Sequence, residues 1–456
     1  MKLLIISEVI APASTIASVR WTKIGKYLHR KFNVDIDIVT TKKRYSDSLH
    51  PGFYLKDSTL EKDLVFFNRV WEIPEGLRAK AVNWLFATLG ALLGRRSEKN
   101  EVPNITKSDT SEIKLKKRDE FIKKVYFSAY GLFLRVKGAS ICHQAKKLKI
   151  KWDDYDVIVT SFSPRWVHLL GKWVKDKYPS VVWIADYRDS TLSIVDVPKK
   201  EKRSFTHIYT KTADCIIGVS QGVLDNLALP KLQMSKVITN GFDPEDLGKR
   251  IRKIEDRFII SYTGTLYDNG ECRRDLRPFF IALKELIEEK EVDPSKILVV
   301  YAGSNSDIFR DQMRPYKSII PSLDAGFISR ADSYKLQESS SILLLCTWNT
   351  KSMQGVVTGK IFEYFSSGVP IAGLCTGDLK NSTVKEMLAS SHTGFCYEEA
   401  NKETDHTKLK QFIGTQYRVW KTTGLSGCDT NKEYIASFGY DRIASNVYNI
   451  FLTFKN

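Results

Sequence analysis

Cysteine is sparse in this chain of 456 residues. The seven present, Cys142, Cys215, Cys272, Cys346, Cys375, Cys396 and Cys428, are odd in number and scattered, with no CxxC or CxH spacing. That argues against a disulfide framework or a zinc site, and Cys215 and Cys346, set in apolar runs, read as small buried hydrophobes. Long hydrophobic runs are scarce too. The longest weakly polar stretch, "AVNWLFATLGALLG" at 81–94, is broken by Asn83 and Thr88. At about 1.5 Å per residue it cannot cross a hydrocarbon core roughly 30 Å thick, although it could lie on one. The opening "MKLLIISEVI" carries one lysine, few apolar residues and then Glu8, so it reads as a first strand and not an export leader, and the expected compartment is the cytoplasm. Acidic residues are in deficit, 53 against 70 basic, for a net charge of +17. Such a charge calls for an anionic partner: nucleic acid, anionic lipid or a phosphorylated substrate. No zinc finger, RRM or helix-turn-helix signature accompanies it, which puts nucleic acid last.

What is present is the composition of a folded protein, 43% hydrophobic and 11% aromatic, with length for two or three domains. Apolar runs alternate with amphipathic stretches in two sets, the pattern of α/β domains with parallel sheets. The first set of strands is expected at 2–7, 35–40, 64–70, 156–161, 181–186 and 215–220, with helical patterns starting at Ser18 and Arg165. A polar stretch at 243–256 reads as a linker, and the pattern restarts with strands at 257–264, 296–303, 341–346 and 369–374. These boundaries give an N-terminal Rossmann-like domain at 1–242, a C-terminal one at 257–430, and an amphipathic helix in 431–456. A helical insertion is expected at about 75–150, with a polar centre. Its basic pieces, "KLKKRDEFIKK" and "HQAKKLKIK", follow Trp84, Phe86, Arg95 and Arg96; the combination fits either a solvated helix face or a patch on an anionic membrane surface. Two doubly wound domains facing each other leave a cleft at the carboxyl ends of their strands, where ligands bind in such folds.

The richest motif, "GVVTGKIFEYFSSGVPIAG" at 355–373, lies at that position. Gly359 lets backbone approach a ligand, Lys360 adds a positive charge at a helix start, and Glu363 on the same face can accept from ribose hydroxyls. Diphosphate plus ribose is a nucleotide, while a surface helix pair is the plainer alternative. "TGKIFEYFSSGVPI" closely resembles the donor motif of family 4 glycosyltransferases, retaining enzymes of the GT-B fold that use nucleotide sugars. "SEVIAPASTIASVRWTKIGKYL", "DVIVTSFSPRWVHLLG", "WIADYRDS", "IIGVSQGVLDNL", "VITNGFD" and "ISYTGTLYDN" match the family in order, closest to its bacterial surface-polysaccharide branch.

The resemblance implies transfer of a sugar from a nucleoside-diphosphate donor to an acceptor hydroxyl, a lipid-linked or other saccharide, by front-face attack without a protein nucleophile, metal or cofactor. It places Gly264, Thr265, Arg273, Arg274, Gly359, Lys360 and Glu363 at the donor, and Asp186, Arg188 and Asp189 near the reacting centre. An Arg188 salt bridge to one of these aspartates is the bland alternative, and His168, on an apolar helix face, reads as packed. In the first loop the family's paired glycine is absent, so Thr15, Ser18 and Arg20 stand in for it. The family's E-x7-E pattern is also incomplete, since Gly355 occupies the first glutamate position. That gap keeps open a second function, a degenerate GT-B protein that binds a nucleotide sugar or a partner enzyme without turnover. A sugar-nucleotide epimerase is disfavoured for want of its carboxylates and histidine.

Overall fold

The computed structural model describes residues 1–13, 15–41, 57–74, 76, 77, 79–81, 84, 130–188, 210–227, 229–247, 251–270 and 272–455. Of the expected insertion, 85–129 lies outside the described residues, as does Asp189.

The N-terminal sheet contains β1 (Lys2–Ser7), β2 (Asp35–Thr41), β3 (Arg69–Ile73), β4 (Val157–Phe162), β5 (Val182–Tyr187), β6 (Cys215–Gly218) and β7 (Ser235–Val237). Its order is β3-β2-β1-β4-β5-β6-β7, with every pair parallel. The second sheet begins with β8 (Phe258–Thr263), followed by a small antiparallel hairpin of β9 (Asp268–Asn269) and β10 (Cys272–Arg273). It continues with β11 (Ile297–Ala302), β12 (Ser322–Asp324), β13 (Ile342–Trp348), β14 (Ile371–Thr376) and β15 (Gly394–Glu398), in the parallel order β12-β11-β8-β13-β14-β15. The strands are near-continuous apolar runs because both faces of each sheet are covered. Leu3 and Ile5 enter one core while Leu4 and Ile6 enter the other, the period-two alternation of a strand. Both sheets reverse strand order beside their first strand, at β1/β4 and at β8/β13. Those switch points are where open α/β sheets form ligand crevices.

The chain crosses between the sheets twice, and the crossings are bonded to each other: Phe242 N donates to Phe438 O at 3.1 Å and Tyr440 N to Phe242 O at 2.9 Å. The C-terminal helix Tyr440–Leu452 buries Tyr440, Ile443, Ala444, Val447, Ile450 and Phe451. These side chains join the core of the N-terminal sheet, beside Leu3, Trp21 and Leu28.

One strand was expected five residues too early. Residues 64–70 do not pair as a unit: Lys62–Phe66 is a 3-10 turn and the strand begins at Arg69. The cause is Asp63, whose carboxylate is held 2.6 Å from Lys23 Nζ of helix α1 (Ile16–Phe32), so the chain turns before it can pair. At the head of the stretch expected to be a polar linker, Asp243 is buried. It accepts from Lys23 at 2.6 Å, Lys26 at 2.9 Å and the Tyr27 hydroxyl at 2.6 Å. Burial disfavours its charge, but the lysines and the tyrosine outweigh that and hold its carboxyl well below the usual range. Asp243→Asn, which leaves two buried ammonium groups short of a counter-charge, is expected to lower stability by about 3–5 kcal/mol in denaturant unfolding. Because the folded pKa is depressed, the Asp243 contribution is complete above about pH 4 and is lost as pH falls through the unfolded and then the folded value. The gap between wild type and variant should therefore narrow in acid.

Candidate functional site

The first crevice is walled by the loop after β1. Without glycine, it is fixed by one side chain and one backbone bond: Ala11 N donates to Thr22 Oγ1 at 3.2 Å, and Asp57 N donates to Pro12 O at 2.6 Å. Thr15 caps α1, its Oγ1 accepting from Ser18 N at 3.2 Å. Ser18 is fully buried, and its Oγ has no hydrogen-bond partner among the described residues.

Arg20 and Asp186, expected at phosphate and acceptor, instead meet each other in the core at 2.9 Å, both with 0% side-chain exposure. Asp186 also accepts from Trp21 Nε1 at 2.7 Å and from Ser161 Oγ at 3.1 Å, and Arg20 donates to the carbonyls of Ile238 and Thr239 at 2.8 and 2.7 Å. Neither can touch a substrate as placed. The reason is that Arg20 faces inward from α1, where only a carboxylate neutralises it. The salt bridge considered for Arg188 therefore goes to Arg20. Arg188 itself donates through Nη2 to Ser163 O at 2.6 Å. His168 is packed as expected, stacked on Phe162 with Nδ1 2.7 Å from Thr160 Oγ1, and burial followed by the Arg188 charge lowers its pKa to about 3.

The second crevice lies between the loops after β8 and β13. Gly264 and Gly303 bring two backbones into contact, since a Cβ at Gly303 would fall 1.7 Å from Gly264 O. Thr265 follows, its carbonyl accepting from Arg274 Nη1 at 2.5 Å. Arg274 lies against the Tyr267 ring at 4.5 Å, and Arg273 pairs with Glu399. Through these protein partners both arginines support the loop after β8. Lys360 and Glu363 share the first turn of the helix Lys360–Phe365, 2.7 Å apart and 32% and 17% exposed. Thr358, next to them, holds a shielded Oγ1 with no partner among the described residues.

Three contacts join the two walls. Ile16 lies over Gly359, where a Cβ would stand 2.8 Å from its Cγ1. Asp57 Oδ2 accepts from Arg330 Nη1 at 3.2 Å. Gly222 meets Gln354 and Gly355 backbone to backbone: a Cβ on Gly222 would lie 2.3 Å from Gln354 O, and one on Gly355 would lie 2.6 Å from Gly222 Cα. Gly355 also has φ +68°, the left-handed region that favours glycine. The missing first glutamate therefore has a structural cause, because no side chain fits at that position in the closed cleft. Sequence reasoning missed Asp57, Gly222 and Arg330; Arg330 after a serine cap looks like any helix start.

This pairing of two doubly wound sheets across a cleft is the GT-B fold, and solved structures of that fold superpose along the whole chain. The apo form of the lipopolysaccharide outer core galactosyltransferase WaaB aligns over 100% of both chains, with 12% identity and TM-score 0.53. An E. coli trehalose-6-phosphate structure bound with UDP-2-fluoro glucose aligns over 99% of both, with 10% identity and TM-score 0.58. A trehalose-6-phosphate synthase structure from a study of glycosyltransfer with retention also aligns over 99% of both, with 11% identity and TM-score 0.56. No family model and no curated protein matches the sequence.

Gly368 gives an internal control for the seam, with φ +67° and nothing within 4 Å of a Cβ. Gly368→Ala carries only backbone strain, about 1–3 kcal/mol. Gly355→Ala is expected to lose more in thermal or denaturant unfolding and to enlarge the radius of gyration in solution scattering; equal losses would mean that the contact across the cleft contributes nothing.

Proposed function

We propose that the chain is a retaining glycosyltransferase that moves a sugar from a nucleoside-diphosphate donor to an acceptor hydroxyl. A lipid-linked saccharide of surface-polysaccharide synthesis is the proposed acceptor. The observation that carries this reading is the Lys360–Glu363 pair at the second crevice, facing the loop after β1 across Gly359 and Ile16. A departing diphosphate gains negative charge in the transition state, which Lys360 is placed to stabilise, while Glu363 accepts from ribose hydroxyls. The shielded hydroxyl of Thr358, two residues before Lys360, is one that a polar ligand would satisfy. Asp186, sealed on Arg20, is no candidate for a nucleophile, in keeping with front-face attack in which a diphosphate oxygen takes the acceptor proton. Lys360 takes the part a divalent metal would otherwise have, so activity should survive EDTA. The bound UDP-2-fluoro glucose and the retention named for two of the structural neighbours support donor class and stereochemistry by likeness of fold.

At about 100 times its dissociation constant a bound nucleotide adds roughly 2.7 kcal/mol of stability. One of UDP, GDP, ADP and CMP is therefore expected to raise the melting temperature of the wild type but not of Lys360→Ala. The second reading, a donor-binding protein without turnover, is favoured by Gly355. Nucleoside-diphosphate release that needs an acceptor extract and disappears in Glu363→Gln would exclude it.

The membrane side of the proposal, a peripheral enzyme on the cytoplasmic face, rests on the arm around 76–84 and 130–149. Gly76 packs on Ser140 and Gln144. Leu77, Trp84, Leu132 and Val136 are exposed there, 84%, 69%, 56% and 39%, beside exposed Lys146, Lys147 and Lys149. Among the described residues no helix is long and apolar enough to cross a membrane. Binding to anionic vesicles at low salt is expected to weaken by about 1 kcal/mol per lysine replaced in this trio and to fade at high salt. Absence of binding at low salt would remove the membrane from the proposal.

A further inference from the structure

Arg330 opens the helix Arg330–Glu338, directly after its cap Ser329. Its side chain is 21% exposed. The Tyr334 hydroxyl accepts from Nε at 3.0 Å and from Nη2 at 2.7 Å. The third group, Nη1, leaves its own domain and reaches Asp57 Oδ2. Burial works against the charge on Arg330, yet Tyr334, Glu363 and Asp57 together hold its pKa above the ordinary value.

Asp57 is committed on two sides. Its Oδ1 accepts from Thr59 N at 2.9 Å and from Thr59 Oγ1 at 2.6 Å, and its own N–H holds the carbonyl of Pro12 in the loop after β1. A displacement of Arg330 is therefore passed to that loop through one residue, by its carboxylate on one side and its backbone N–H on the other. Asp57 is 8% exposed, so when the cleft opens both partners lose a shielded, charge-assisted hydrogen bond.

We infer that Arg330 is a positioning residue of the donor site that couples nucleoside-diphosphate binding to closure of the cleft, an inference resting on the donor chemistry proposed above. A diphosphate entering between Lys360 and the loop after β1 competes with Glu363 for Lys360. Arg330, through its hold on Asp57, then brings the first loop down over the phosphates. Because the coupling is a free energy shared by two events, whatever loosens the Asp57 contact must also weaken the nucleotide.

The test uses the full chain as wild type, Asp57→Asn, Arg330→Gln, Arg330→Lys and the Asp57→Asn/Arg330→Gln double variant. Affinity for UDP, GDP, ADP and CMP is measured by calorimetry, and radius of gyration by solution scattering with and without nucleotide. Asparagine retains the cap on Thr59, so Asp57→Asn is expected to keep a melting temperature near wild type and decides the matter even if Arg330→Gln fails to fold. The wild type should compact on binding. Asp57→Asn should bind about tenfold more weakly and not compact. Arg330→Gln should be at least as weak, the double variant no weaker than Arg330→Gln, and Arg330→Lys partly restored. Wild-type affinity and compaction in Asp57→Asn would overturn the coupling while leaving the donor proposal standing. Failure of the wild type to bind any of the four nucleotides would bring down the donor proposal itself, and the coupling with it.

Discussion

The ion pair between Arg20 and Asp186 fixes the N-terminal half of this molecule. It joins α1 to the end of β5 and, through the carbonyls of Ile238 and Thr239, to the strand that leads out of the domain. Two charges so fully removed from water persist only because each is saturated: the carboxylate by Arg20, Trp21 and Ser161, the guanidinium by Asp186 and two carbonyls. Once α1 is set, so is its first turn, and with it the loop after β1. The ammonium groups of Lys23 and Lys26, on successive turns of the same helix, then draw Asp63 and Asp243 inward. One buried pair therefore orients a crevice wall, a 3-10 turn and an interdomain crossing.

The fold was legible because it is written in periodicity. Continuous apolar runs such as "KILVVYAG" admit only a covered parallel strand, and the β/α alternation restarts at Arg257. The strand at 64–70 misread because Val65 and Phe66 look apolar, whereas Asp63 had already claimed the turn. The helix start at Lys360 was legible too, since Lys360 and Glu363 do share its first turn. Roles at the strand ends were not. Whether Arg20 faces ligand or core depends on a partner 166 residues away, and local spacing does not encode that distance. The arginines at 273 and 274 illustrate the same limit, since their partners Glu399 and Tyr267 could be found only in three dimensions.

Glycine carried more information than charge in the cleft. A departure from a motif read on its own as loss of function proves to be a steric requirement, because Gly355 meets Gly222 across the gap in a backbone conformation that side chains resist. The wall is thus built from peptide groups where the resemblance led one to expect a carboxylate. Peptide carbonyls and N–H groups present a neutral, rigid edge there, offering shape and dipoles in place of a full charge.

The return of the C-terminal helix to the first core has a consequence for how the protein is made. Tyr440 through Phe451 complete the packing around Leu3, Trp21 and Leu28, yet they are made only after the whole second sheet. Domains ordinarily fold in the order of synthesis. Here the earlier-made sheet keeps an unfilled apolar face until the later-made one has been translated. A deletion within this helix would therefore appear as a defect in the core around the first strand.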